Sequence, residues 1–450
     1  MQLPSRRRSL TAATTLLLTA ALLPVASAAQ ATTGLPRIDA ELETPALFDD
    51  EAGSYANADD PAIWLHPGKA SRSVVVATAK EGGLRAYSLA GKQLQTIAAP
   101  VAPGPDDEAG RFNNVDLAYG VRLGGVSADL AVVSDRGRDT LRAYRIDPAA
   151  ATAGRAPLTD VTDPAAPFVF SSSPDEVNEQ STAYGLATWR DPASGQHYAL
   201  VSRRHTTEVA LVRLVATPTG TITYTVVRTL TLPSSFSLPD GSTWTPCADP
   251  GELPQVEGMV VDAQTGVLYA GQEDVGIWRM PATLTGTPVL MDKVREFGVP
   301  ATYDPETEEC AVSGPDPGAG GRHISADVEG LTIYYRRDGR GYLLASSQGD
   351  NTFVVYQRAG ANAYVTNFRI GPDSDGPDGS EECDGAMVLN VPLGEFDEGL
   401  LVVQDGFNTP DVDDSEGEAR TNTNFKFVEW DDVAEEAGLA VDTSGWSPRR

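Results

Sequence analysis

The chain has 450 residues, with 34 Lys and Arg against 63 Asp and Glu, and a formal net charge of −29. A surface with this much negative charge repels nucleic acid and anionic lipid. We therefore expect neither a nucleic-acid partner nor a membrane partner. The chain has only four histidines, and none stands at a zinc-ligand spacing from another histidine or a cysteine, which argues against a zinc site.

The first residues have the pattern of a secretory leader. Arg6–Arg8 precede an apolar run, Leu10–Val25, and the small residues Ala26–Ala28 follow it. We therefore predict a signal peptide over residues 1–28 and a secreted protein. The three arginines leave both the general and the twin-arginine export routes open. Removing the leader leaves 31 basic against 63 acidic residues, a net charge of −32.

After the leader the sequence is typical of short strands. No long stretch has apolar residues at helical spacing. Short apolar runs are instead bounded by Gly, Pro, Asp or Asn, as expected of strands joined by turns. Examples of such runs are 74–78, 131–134, 198–202, 342–346, 354–357 and 400–404.

An acidic or polar residue recurs in the turn before an apolar strand, and successive positions are 54, 71, 73, 70 and 57 residues apart. Each interval has room for four strands and an insert. The fold class we predict is all-β, a six-bladed β-propeller over residues 29–443 with the active site at one end of the central channel. A two-sheet sandwich is the alternative, but about 400 residues is long for one. We expect residues 444–450 to form a loose tail. The six positions are Asp59, Asn113, Tyr184, Glu257, Asp327 and Asp384.

Carboxylates are paired in two related motifs. Asp327 and Glu329 are two residues apart in an extended segment, so both point to the same side. Glu257 begins a near copy of this motif, and Glu273 stands at the end of the following strand. Clustered carboxylates favour a hard divalent cation such as calcium, which takes oxygen ligands. The simpler interpretation of the acidic excess is solubility alone.

The three cysteines are an odd number, so at most one disulfide can form within the chain. Cys247 and Cys310 lie in Pro-, Gly- and Asp-rich inserts that precede the two related acidic motifs. We predict that these two pair and that Cys383 remains free.

Seven segments, in the same order along the chain, resemble the β-propeller phytases. These are secreted, calcium-dependent, six-bladed enzymes of the 3-phytase type. The resemblance implies a phosphoric monoester hydrolase that acts as a monomer on myo-inositol hexakisphosphate (phytate), taken as its calcium complex. The segments are 58–67, 113–117, 256–259, 272–274, 327–335, 341–349 and 403–406.

The resemblance also implies residue roles. Calcium would offset the negative charge of the phosphate and lower the pKa of a bound water. Arginine can hold phosphate through two hydrogen bonds, and lysine acts as a point charge. The implied ligands of the catalytic calcium cluster are Asp59, Glu257, Asp327 and Glu329. The residues implied to complete ligation or to hold the nucleophilic water are Glu273, Tyr184, Gln348 and Asp384. The implied phosphate-binding residues are Lys80, Arg136 and Arg204, of which Lys80 and Arg136 also act in catalysis.

Two structural calcium sites follow from the same resemblance. Filling them would join the first and last parts of the ring and stabilise the folded state by mass action. One would use Asp60 with the backbone oxygens of Pro61 and Val115. The other would use Asp378, Asp405 and Asn408.

The sequence departs from the family at a few positions. Glu81 stands where a second lysine is common, His205 where a glutamate is common, and Phe407 where an acidic calcium ligand is expected. Either Arg203 or Arg204 could face the site. The alternative functions are a calcium-dependent propeller lactonase or esterase, and a non-catalytic binding propeller that keeps calcium only for rigidity.

Overall fold

The computed structural model describes residues 34–50, 56–307, 309–373 and 376–449. The predicted signal peptide and Arg450 lie outside these residues. The chain divides into Met1–Leu35, of which only Gly34 and Leu35 are described, and a unit spanning Pro36–Arg450. No helix in the described ranges has both the length and the apolar character needed to cross a membrane.

Within the described residues, six sheets of at least four strands follow one another, and the consecutive strands within each are paired antiparallel. We number these blades 1 to 6 in chain order. Blade 1 consists of Pro61–Trp64, Val74–Thr78, Leu84–Ser88 and Gln93–Ile97. Blade 2 consists of Phe112–Leu123, Val126–Asp135, Thr140–Ile146 and Leu158–Asp160. Blade 3 consists of Ala183–Arg190, His197–Arg203, Glu208–Ala216 and Ile222–Thr231.

The last three blades are built in the same way, and the N-terminal segment adds strands to blades 5 and 6. Blade 4 consists of Val256–Asp262, Val267–Gln272, Gly276–Pro281 and Val289–Lys293. Blade 5 consists of Val328–Tyr335, Gly341–Ser347, Thr352–Gln357 and Tyr364–Ile370. Blade 6 consists of Ala386–Leu389, Leu400–Asp405 and Asn422–Glu429.

The sheets form a closed ring. The first strand of each blade lies beside the first strand of the next, and the first strand of blade 6 lies beside that of blade 1. These six strands are therefore the inner strands around a channel. Arg37–Ile38 pairs in parallel with the last strand of blade 5, whereas Leu42–Glu43 and Leu47–Phe48 pair antiparallel with Asn422–Glu429 of blade 6. The predicted six-bladed propeller is confirmed.

The core lies between neighbouring blades, because most blade strands are buried on both faces. Val75 and Ala77 of blade 1, for example, pack in one cluster with Leu400 and Val402 of blade 6. This explains why the sequence shows continuous apolar runs instead of strict alternation of apolar and polar residues.

Short elements lie in the inserts. Cys247 and Cys310 form a disulfide, as predicted, which ties the insert before blade 4 to the hairpin before blade 5. Cys383, the remaining cysteine, is a buried thiol. The inserted hairpins are Phe236–Ser237 with Thr243–Trp244, Ala301–Asp304 with Glu309–Val312, and Val412–Asp413 with Ala419–Arg420. The helices are Pro148–Thr152, Pro174–Asn178 and Trp430–Glu436, with 3-10 turns at Ala70–Arg72, Arg337–Gly339 and Gln348–Asp350.

The C-terminal residues pack against the propeller. The ring of Trp446 stacks on Tyr335 with 4.0 Å between centroids. Arg449 Nε donates a hydrogen bond to the carbonyl oxygen of Leu65 at 2.8 Å. Residues 444–449 are thus held by specific contacts, contrary to our expectation of a loose tail, because an aromatic ring and a guanidinium found partners that the sequence did not reveal.

Candidate active site

The candidate site lies where the inner strands begin. Asp59 and Asp60 immediately precede the inner strand of blade 1, and Asp384 stands in the same place before blade 6. The other polar positions used to count the blades lie at the starts of the remaining inner strands. The ring therefore gathers residues that are far apart in sequence.

A β-bulge follows the first residue of the inner strand in blades 2 to 5. A bulge bends the strand and redirects a side chain, and bulges are frequent beside active sites. In each case the bulged segment contains a polar side chain of the candidate site. These side chains are Asn113, Tyr184, Glu257 and Glu329.

In four blades the polar residue is followed by a glycine that touches the next blade. A Cβ atom built on Gly258 would lie 2.1 Å from the carbonyl oxygen of Glu329, and one on Gly185 would lie 2.0 Å from that of Glu257. Only glycine permits so close an approach of two backbones. The sequence pairs are Tyr184-Gly185, Glu257-Gly258, Glu329-Gly330 and Asp384-Gly385.

Glu257 is the hub of the carboxylate cluster. Asn113 Nδ2 donates to its Oε1 and the Tyr184 hydroxyl donates to its Oε2, each at 2.5 Å. Glu257, Glu273 and Glu329 each place one carboxylate oxygen within 4.8 Å of the others. Burial first, and then repulsion from Glu257, raise the pKa values of Glu273 and Glu329 well above the ordinary range.

Several oxygens of this cluster are buried without a hydrogen-bond partner among the residues that the structure describes. A buried carboxylate oxygen without a donor or a cation is costly. The donor set contains only oxygen, which is the preference of a hard divalent cation. The residues present therefore fit a metal cluster. The atoms without a hydrogen bond are Asp59 Oδ1 and Oδ2, Glu273 Oε1 and Glu329 Oε2.

Lys80 lies beside the acidic cluster at the junction of blades 1 and 6. Its Nζ is 3.0 Å from Asp384 Oδ2 and 3.8 Å from Asp59 Oδ2. Burial opposes the charged ammonium, but Asp384 and Asp59 outweigh that effect and raise the pKa of Lys80. Gln348 Nε2 donates to the other oxygen of Asp384 at 2.8 Å.

Asp327 joins the cluster with a partner that we did not assign from the sequence. Burial, and next the charge of Asp327, raise the pKa of Asp274 to about 7, and the two carboxyl groups are hydrogen-bonded to each other. Below that pKa, two carboxyl groups that share a hydrogen bond hold a proton between them, and a bound cation would displace it.

Three arginines lie together on one side of the carboxylates. Arg136 Nη1 donates to Asn113 Oδ1 at 3.1 Å. Burial, and next repulsion from Arg136, lower the pKa values of both Arg111 and Arg204. Like charges held this close favour an anion between them.

The structure distinguishes the two adjacent arginines. Arg203 Nε donates to the carbonyl oxygen of Ser181 at 2.8 Å, and its guanidinium lies over the ring of Phe170. Arg204 instead interacts electrostatically with Arg136. Arg204 is therefore the member of the pair that belongs to the arginine cluster.

Arg111 is a site residue that our reasoning from the sequence missed. It stands two residues before Asn113, and the alternation of side chains along a strand could have placed it on the same side. It forms an ion pair with Glu81, the residue that stands where a second lysine is common. Nearby, His205 Nδ1 is 2.7 Å from Glu252 Oε1. Burial, and next repulsion from Arg204, lower the pKa of His205.

The structure also brings together the residues of both predicted structural calcium sites. Asp60 Oδ2 accepts a hydrogen bond from the backbone N–H of Val115 at 2.9 Å, with Pro61 next in the chain. At the second site, Asp378 and Asn408 surround the ammonium group of Lys426, and Asp405 lies beside it. Phe407 lies in the same loop, and its side chain is exposed.

The chain is similar to known phytases. The family model described as Phytase matches residues 6–238 and 302–449. The 3-phytase of Bacillus subtilis (strain 168) is 34% identical over 412 residues, covering 90% of this chain and 87% of that protein. The family match leaves out residues 239–301, which contain Glu257 and Glu273. The structure nevertheless builds this stretch into blade 4, where Glu257 becomes the hub of the cluster.

Proposed function

The chain belongs to the phytase family and is a phosphatase that hydrolyses phytate, and we propose that it does so with several calcium ions held by the carboxylates around Glu257. The observation that carries the proposal is the convergence of oxygens from Glu257, Glu273 and Glu329 within 4.8 Å of one another. The buried oxygens without donors support it, because a cation would satisfy them. Asp59, Asp327 and Gln348 would complete the ligand set.

Calcium bound there would screen the charge of the phosphate and lower the pKa of a coordinated water. The side chains of the protein keep the ligands in position for this chemistry. Tyr184 and Asn113 donate to Glu257 and so fix the orientation of its carboxylate. Burial, and next the charge of Glu257, raise the pKa of Tyr184, so the phenol remains protonated and remains a donor. Lys80 and Gln348 hold Asp384 in the same way.

The phosphate groups of the substrate would be held by Lys80, Arg136 and Arg204, and we add Arg111 to this set. Arg136 contacts Asn113, which itself donates to Glu257, and would bind the phosphate being cleaved. Arg111 and Arg204 are within electrostatic reach of Arg136 and would bind a neighbouring phosphate of phytate. An uncharged lactone or ester has no anionic group to bind three adjacent guanidinium groups, which disfavours that alternative.

We further propose that the protein is secreted by means of residues 1–28 and acts as a monomer on the calcium complex of phytate. A structural calcium ion at Asp60, Pro61 and Val115 is part of the proposal. The site would connect blades 1 and 2, since Asp60 precedes one inner strand and Val115 lies in the other.

A comparison of substrates tests the proposed function. The protein would be incubated in calcium with phytate, with p-nitrophenyl phosphate, and with an uncharged lactone and ester, and the products would be measured. We expect release of phosphate from both phosphate esters and no turnover of the lactone or ester. Turnover of the lactone without phosphate release would support the lactonase, and no turnover at all would support a binding propeller.

A further inference from the structure

The side chain of Lys426 ends in the middle of the second predicted calcium site. Lys426 lies on the Asn422–Glu429 strand of blade 6, and its side chain is 0% exposed. Its Nζ atom is 2.6 Å from Glu43 Oε2, 2.9 Å from Asn408 Oδ1 and 3.2 Å from Asp405 Oδ2, and it also contacts Asp378 Oδ1. Three carboxylates and one amide oxygen thus surround a single ammonium group.

This ligand set does not fit a calcium ion while Lys426 is present. Calcium binds oxygen at about 2.3–2.6 Å, so an ion shared by these four residues would occupy the position of the ammonium. A protonated lysine has three donors and no acceptor, so it cannot itself be a ligand. Lysine and calcium therefore exclude each other here.

The position of the ammonium explains what it could replace. Glu43 belongs to the N-terminal strand that pairs with blade 6, Asp378 to the connection between blades 5 and 6, and Asp405 to the second strand of blade 6. Lys426 thus links the beginning of the described chain to its last blade. A structural metal at the same place would make the same link.

We propose that the Lys426 ammonium takes the place of a structural calcium ion at this joint, so that closure of the ring between the N-terminal strand and blade 6 does not depend on calcium. The cation that contacts the three carboxylates is supplied by the chain itself. This inference concerns a site away from the carboxylates around Glu257 and does not rest on the catalytic role proposed for them.

The test is the number of calcium ions bound per folded chain, measured by equilibrium dialysis and elemental analysis. Lys426→Ala would open space between three carboxylates, and we expect it to bind one more calcium ion than the wild type. Its melting temperature should fall in metal-free buffer and recover in calcium by more than that of the wild type. Lys92→Ala, which removes an exposed lysine, is the matched control and should bind the wild-type number.

A second variant decides the matter if Lys426→Ala does not fold. Asp378→Asn removes one carboxylate of the joint and keeps its shape. If the lysine is the resident cation, this variant should bind the same number of calcium ions as the wild type. Loss of one calcium ion in Asp378→Asn, or an unchanged number in folded Lys426→Ala, would overturn the proposal.

Discussion

Lys80 Nζ lies 3.0 Å from Asp384 Oδ2, although 304 residues separate the two in the sequence. The contact exists because blade 6 returns to blade 1 and closes the ring. It places a cation at the edge of the carboxylate cluster, where a substrate phosphate would need one. The contact between blades 6 and 1 that closes the ring is therefore also part of the candidate site.

Replacing the hub of the cluster should abolish most of the activity. Glu257→Gln keeps the shape of the side chain and removes its charge, so we expect a loss of about a hundredfold in turnover, the scale for a group that organises an electrostatic site. The melting temperature in metal-free buffer should change little or rise, since one buried charge is removed. Glu416→Gln, at an exposed position, is the control. If Glu257→Gln kept more than about a tenth of the turnover, a far smaller loss than that scale, Glu257 would not organise the site.

The close approach of neighbouring blades predicts that Gly258 cannot carry a side chain. The Cβ atom of Gly258→Ala would lie 2.1 Å from the carbonyl oxygen of Glu329, so the two inner strands must separate. Crowding of this kind costs about 1–3 kcal/mol, to be measured by urea unfolding, and should also reduce turnover by displacing Glu329. Gly68→Ala, where no atom lies within 4 Å of the added carbon, should be neutral. Equal stability of the two variants would contradict the close approach.

The adjacent arginines should differ in their effect on phytate. Arg204→Ala should raise the KM for phytate while leaving the KM for p-nitrophenyl phosphate almost unchanged, because only phytate has a further phosphate for Arg204 to hold. Arg203→Ala should change neither, since Arg203 contacts Ser181 and Phe170. Steady-state kinetics with both substrates decides this. A larger effect of Arg203→Ala would reverse the assignment.

Calcium should stabilise the protein more at pH 8 than at pH 5.5. Without metal, burial and like charges raise the pKa values of Glu273 and Glu329, and that of Asp274 to about 7. The contribution of these protonated groups to the free energy of unfolding is fully present below their pKa values in the unfolded state. It is lost as the pH rises through their pKa values in the folded state. Calcium replaces these protons, so the stability that it restores is larger at pH 8 than at pH 5.5.

Thermal unfolding in calcium and in metal-free buffer at both pH values measures this difference. Asp274→Asn removes one of the titrating groups and should reduce the pH dependence. If calcium raised the melting temperature more at pH 5.5 than at pH 8, this explanation would be wrong.

The sequence predicted the blades better than the contacts between them. Spacing located the polar turns, because it follows from the repeat of the blades. Strict alternation does not by itself place Glu329 beside Asp327, because a bulge follows Val328. The partners of Lys80 and Arg111 depend on how blades meet, which no local pattern encodes. Lys426 is the clearest case: a lysine among apolar strand residues predicts a solvated side chain, and only the ring brings three carboxylates around it.

The most direct test of the central claim, that carboxylates around Glu257 act through bound calcium, is phosphate release from phytate by protein stripped of divalent ions. We expect stripping to abolish release, calcium to restore it, and zinc to fail, because the cluster offers only oxygen ligands. Glu257→Gln, measured in parallel, should not recover at the calcium concentration that restores the wild type. Undiminished phosphate release by the stripped wild-type protein would contradict the account.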